Sequence, residues 1–124
     1  MKATARLRRV LLIDDDEIIV GSLRHSLVAQ GCGVDVVVEA DAADALMRVN
    51  RYDVVVLDPY RTGAIHDQHA LLGSIATLQP HAATIVLTAY PSPELASAVA
   101  ATPASSLLAK PQSVVYLSEL VGAR

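Results

Sequence analysis

Four short apolar runs in this chain end in residues that can do chemistry. Val10-Leu11-Leu12-Ile13 is followed by Asp14-Asp15-Asp16, and Val54-Val55-Val56-Leu57 by Asp58. Thr84-Ile85-Val86-Leu87 ends in Thr88, and Ser105-Ser106-Leu107-Leu108-Ala109 in Lys110. Runs of this length rich in β-branched and aliphatic residues read as buried strands. In open parallel sheets ligands bind beyond the carboxyl ends of the strands, so acids, a hydroxyl and an ammonium at those ends are placed for chemistry. Pro59 has no N–H and turns the backbone directly after Asp58.

The intervening segments have to position these ends. Ile18, Ile19, Leu23, Leu27 and Val28 recur at helical spacing and predict a helix over about residues 16–30, closed by Gly31 and Gly33. Asp16 reads as part of its first turn, where negative charge suits the helix dipole. Val34 to Val38 predicts a second strand whose imperfect alternation suits a sheet edge. Asp41 is expected to cap a short helix with Ala45, Leu46 and Val49 on its inner face. Leu71, Leu72, Ile75 and Leu78 mark another helix, which Pro80 ends. Ser92-Pro93 opens one built of small residues, and Val114 to Val121 forms the last.

Five strands alternating with five helices imply an α/β fold, a doubly wound five-stranded parallel sheet of order 2-1-3-4-5, flavodoxin-like, with helices on both faces. In that order strands one and three are neighbours. Asp14, Asp15 and Asp58 then converge at one edge, with Thr88 and Lys110 beside them. Close carboxylates repel by roughly 4 kcal/mol per pair at an effective dielectric of 20, so positive charge has to sit among them. Oxygen ligands without His or Cys favour a hard cation such as Mg²⁺. Lys110 adds a second positive charge and Thr88 a hydroxyl, which together describe a site for holding a phosphoryl group on Asp58.

Composition excludes several classes. The 124 residues make one domain, residues 1–124, with a basic leader over 1–8. Hydrophobic residues at 52% against charged ones at 19% mark a globular chain, and a net charge of −3 argues against direct nucleic-acid binding. No apolar stretch approaches the ~18 residues of a membrane span, and the run after the leader is too short for a signal peptide. Cys32 is alone and cannot form an internal disulfide, so a cytoplasmic location is expected. His66 and His69 read as solvated, because the pattern places no further ligands near them.

Taken in order, the strand-end motifs resemble the receiver domains of bacterial two-component response regulators, over nearly the whole chain. Ile13-Asp14-Asp15 is similar to the family's acidic pair, Asp58 to its phosphorylated aspartate, Thr88-Ala89 to its hydroxyl residue and small neighbour, and Lys110-Pro111 to its lysine and commonly cis proline. The resemblance implies that Asp58 attacks the phosphorus of a phosphohistidine on a sensor histidine kinase or phosphotransfer protein. It implies that Asp15, Asp58 and the backbone carbonyl of Tyr60 bind Mg²⁺, with Asp14 acting through water. Lys110, Thr88 and the Ala89 N–H would hold the phosphoryl oxygens, and slow self-hydrolysis would end the signal. Helix four, strand five and helix five would form the face for a homodimer or partner.

Two stretches depart from that pattern. Pro59 to His66 lacks the family's Met-Pro-type pair, and Asp67-Gln68 stands where Asp-Gly is usual. Leu107 replaces the customary Tyr or Phe three residues before the lysine, which makes Tyr90 a candidate substitute in the Thr88 switch. Tyr60 and Tyr90 are expected to flank an acyl phosphate and slow its hydrolysis. The competing expectation is a pseudo-receiver, a phosphorylation-independent interaction module on the same fold. A small phosphatase using Asp58 would need a second acid two residues on, where Tyr60 stands.

Overall fold

The computed structural model describes residues 7–59, 68–102 and 105–123. Strands and helices alternate as β1 (Arg9–Ile13), α1 (Glu17–Ala29), β2 (Gly33–Val37), α2 (Ala40–Val49), β3 (Val54–Leu57), α3 (Gln68–Leu78), β4 (Ala83–Thr88), α4 (Pro93–Ala100), β5 (Ser105–Ala109) and α5 (Val114–Ala123). Every strand pairing is parallel and the sheet order is β2-β1-β3-β4-β5, as expected. Among the described residues, no helix is long and apolar enough to cross a membrane.

Period-two alternation along the strands divides the core in two. Leu11, Ile13, Val55, Leu57 and Val86 meet Ala43 and Met47 of α2, Leu72 and Ile75 of α3 and Leu95 of α4. Val10, Leu12, Val54, Val56, Ile85 and Leu87 meet Leu23 and Leu27 of α1 and Leu117 and Val121 of α5. Each aliphatic side chain removed from water contributes about 1.5–3 kcal/mol before entropy, and β1 and β3, apolar towards both faces, anchor the sheet's centre. Gly31 ends α1 with φ +91°, a left-handed conformation that favours glycine.

The helices start and face differently from expectation in places. Asp16 is the N-cap of α1, outside the helix, and its carboxylate accepts from the Ile19 N–H at 3.4 Å. Ile18 is 81% exposed, so the apolar stripe of α1 is carried by Leu23 and Leu27, with Ile19 and Val20 partly buried. α2 begins at Ala40 with Glu39 at the cap position, which makes no side-chain capping bond, and Asp41 lies in the first turn. Its inner face is Ala43, Leu46 and Met47, while Ala45 and Val49 face solvent. An alanine-rich helix has several nearly equivalent apolar faces, and the large Met47 decides between them once the sheet is present. The Ser92 cap and Pro93 start of α4 are as expected, with Ser92 Oγ accepting from the Leu95 N–H at 3.1 Å.

Candidate functional site

Backbone hydrogen bonds carry the sheet one residue past its strands and fix the residues that matter. The Asp14 N–H donates to the Val37 carbonyl and the Asp58 N–H to the Ile13 carbonyl, both at 3.1 Å. The Lys110 N–H donates to the Thr88 carbonyl at 2.8 Å. Because β1, β3, β4 and β5 are successive neighbours, these ladders set Asp14, Asp58, Thr88 and Lys110 along one edge. The Lys110-Pro111 peptide is cis, as the resemblance implies.

One ammonium links three acids there. Lys110 Nζ lies 3.0 Å from Asp14 Oδ2, 3.1 Å from Asp58 Oδ2 and 3.8 Å from Asp16 Oδ2. The side chains of Lys110, Asp14 and Asp58 are 9%, 8% and 2% exposed, so water screens the cluster little. Burial pushes the Asp14 carboxyl above its ordinary value, against the lowering effects of the Asp16 N–H and Lys110. Burial alone would lower Lys110, but its hydrogen bonds to Asp14 and Asp58 outweigh it and raise the ammonium above its usual range. Lys110 is therefore held as a cation, set between the two buried acidic side chains of Asp14 and Asp58.

The remaining expected residues are placed unequally. Asp15 is exposed beside Asp14. Thr88 is fully buried, and its Oγ1 accepts from the Tyr90 N–H at 3.1 Å, which turns the hydroxyl toward its own loop. Ala89 is exposed, and Tyr90 is 71% exposed, so shielding of Asp58 by Tyr90 requires its ring to move inward. Leu107 is half-buried against the cluster that contains Leu57, Val86 and Leu95. Tyr60, His66 and the rest of the 60–67 loop lie outside the described residues, as does the side chain of His69.

The donor set suits a hard cation, because Asp14, Asp15 and Asp58 offer only oxygens. Among the described residues no three acids are gathered into a metal cage as they stand. Lys110 occupies the space between Asp14 and Asp58 instead. Asp16 is the participant that sequence reasoning left at the helix start. Its position directly after the acidic pair was the only local signal, since its partner lies on β5's far end.

A doubly wound parallel sheet that gathers buried acids and one ammonium at its switch point defines a class of aspartate-centred α/β domains. The sequence model for the response regulator receiver domain matches residues 10–121, and the chain belongs to that family, the receiver domains of two-component signalling. It is 31% identical over 113 residues to the response regulator protein FleR of Pseudomonas aeruginosa, an alignment that covers 91% of this chain and 24% of FleR. The chain thus spans about a quarter of that relative's length. A CheY-like receiver domain from Methanospirillum hungatei JF-1 superposes with a TM-score of 0.86 at 24% identity, covering 95% of this chain and 93% of the other. A Burkholderia pseudomallei response regulator, solved with a phosphorylated aspartic acid, a calcium ion and citrate, superposes with a TM-score of 0.77 at 27% identity over 94% of this chain and 71% of the other.

Proposed function

We propose that Asp58 accepts a phosphoryl group from a phosphohistidine on a sensor kinase or phosphotransfer protein, and that the resulting acyl phosphate switches a protein-interaction surface. The observation that carries this reading is the buried pairing of Asp58 with Lys110 at 3.1 Å. An Asp58 oxygen attacks phosphorus, the P–N bond to the donor imidazole breaks, and the imidazole leaves neutral after taking a proton. Lys110, already beside the nucleophile, balances charge on a phosphoryl oxygen, and charge-assisted bonds of this kind are the strong ones. Thr88 and the Ala89 N–H supply further donors once the Thr88 hydroxyl leaves the Tyr90 N–H.

Asp15, Asp58 and, through water, Asp14 would hold Mg²⁺, which when bound offsets the negative charge that two acids and a phosphoryl group bring together. The Burkholderia relative, with its phosphorylated aspartate and calcium ion, supports both parts of the reading. A cytoplasmic place and a dimer or partner face on α4, β5 and α5 belong to the same proposal.

Incubation with acetyl phosphate and MgCl₂ is expected to add one phosphoryl group by intact mass, and Asp58→Asn to abolish it. No labelling of the unaltered chain would favour a phosphorylation-independent interaction module. Labelling that persists in Asp58→Asn would move the acceptor elsewhere.

A further inference from the structure

Asp16 is tied on three sides. Its backbone N–H donates to Asp14 Oδ1 at 3.0 Å, its Oδ1 accepts from the Ile19 N–H at 3.4 Å, and its Oδ2 lies 3.8 Å from Lys110 Nζ. The first two ties fix the residue against the site and the helix, and so turn the second oxygen toward the ammonium. At 3.8 Å the pair attracts without a hydrogen bond, so a small side-chain rotation closes it. The Lys110 stem is a flexible chain whose three N–H donors can be redistributed among nearby acceptors. Asp14, by contrast, cannot serve Lys110 and a divalent cation equally.

We propose that Asp16 is a positioning residue that provides an alternative seat for Lys110. When a divalent cation engages Asp14, the ammonium exchanges Asp14 for Asp16 and stays beside Asp58. The exchange rests on the reading of Asp58 and Lys110 given above. Without Asp16, an ammonium released by Asp14 keeps only Asp58 of the three described carboxylates that now surround it, and solvent competes for it.

The test is a double-mutant cycle on the full chain, with MgCl₂ binding measured by calorimetry for the unaltered protein, Asp16→Asn, Lys110→Met and the pair. Asparagine caps a helix as well as aspartate does, so α1 stays intact, which circular dichroism checks. Asp16→Asn is expected to weaken Mg²⁺ binding about threefold when Lys110 is present and clearly less when Met replaces it. A second readout follows the lysine itself. Lys2 and Lys110 are the only lysines, so the Lys110 ¹³Cε resonance is assigned by its loss in Lys110→Met. With Mg²⁺ saturating, it is expected to stay distinct from that of Lys2 in the unaltered chain and to move toward it in Asp16→Asn.

Equal weakening in both backgrounds, or an identical Lys110 resonance with and without the Asp16 carboxylate, would overturn the exchange while leaving the site reading intact. An unaltered chain that binds no Mg²⁺ would instead sink the cation site, and the exchange with it.

Discussion

At the edge where the strands begin, Arg9 donates from its backbone N–H to Asp53 at 2.8 Å and from its guanidinium to Asp35 at 3.2 Å, with Tyr52 adding a 2.6 Å bond to the same Asp35 oxygen. At the edge where they end, Lys110 faces Asp14 and Asp58. Both edges bring one basic residue to two carboxylates, Asp53 meeting Arg9 through the backbone N–H, and they differ in burial. The Asp35 side chain is 39% exposed, while those of Asp14 and Asp58 are 8% and 2% exposed. Water relaxes the charge below, and the protein leaves it unrelaxed above. The starting edge is further closed by neutral bonds: Gln79 accepts from the Tyr52 N–H and donates to the carbonyls of Met47 and Asn50. One edge is closed by neutral and solvent-screened bonds, while the other gathers two acidic side chains around one ammonium out of water.

That contrast predicts changes of opposite sign at the two edges. Gln79→Ala is expected to cost most, about 3 kcal/mol, because it strands the Tyr52 N–H and two carbonyls at a position only 5% exposed. Urea denaturation measures it, and a loss below about 1 kcal/mol would mean that water replaces the amide and that this edge carries little stability.

Tyr52→Phe keeps the ring, which also stacks under Arg9 at 5.3 Å, and removes only the hydroxyl bond to Asp35. Burial, with Asp35 as the next contributor, pushes that phenol far above its ordinary value, so it donates at every accessible pH. The expected loss is about 1 kcal/mol with no change in phosphoryl labelling. A labelling defect in this variant would show that the two edges are coupled through the sheet.

The strand ends were legible in the sequence because each is a local signal: an apolar run and then a polar residue, repeated with helices between. Parallel order follows from that alternation, and convergence of Asp14, Asp58 and Lys110 follows from the order. What was not legible depends on distant partners. Arg9 and Asp53 are 44 residues apart and Tyr52 and Gln79 are 27 apart, and no periodicity marks either pair. The facing of α2 differs from expectation because Val49 and Met47 lie on opposite faces of an alanine-rich helix, and burial in the cluster of Leu11, Val55 and Leu72 selects the Met47 face. Asp16 looked like a helix-start charge, and its approach to Lys110 appears only once β5 is folded beside the site.

The last expected effect, no larger than that of Tyr52→Phe, carries the sharpest sign. Asp14 titrates above the ordinary 3.8 in the folded chain, so between that value and its raised one the native state binds more protons than the unfolded state. Stability from this group therefore falls as pH rises through that window, and the loss is complete above it. Asp14→Asn carries no such charge. It is expected to be about 1 kcal/mol more stable than the unaltered chain at neutral pH, with the difference shrinking as pH falls toward 3.8, in paired urea denaturations across that range. Carboxylates remote from Asp14 and Lys110 are common to both proteins and cancel in the difference. If Asp14→Asn is instead the less stable of the two at neutral pH, its pairing with Lys110 outweighs the cost of burying it, and the strand-end edge stabilises the fold just as the other edge does.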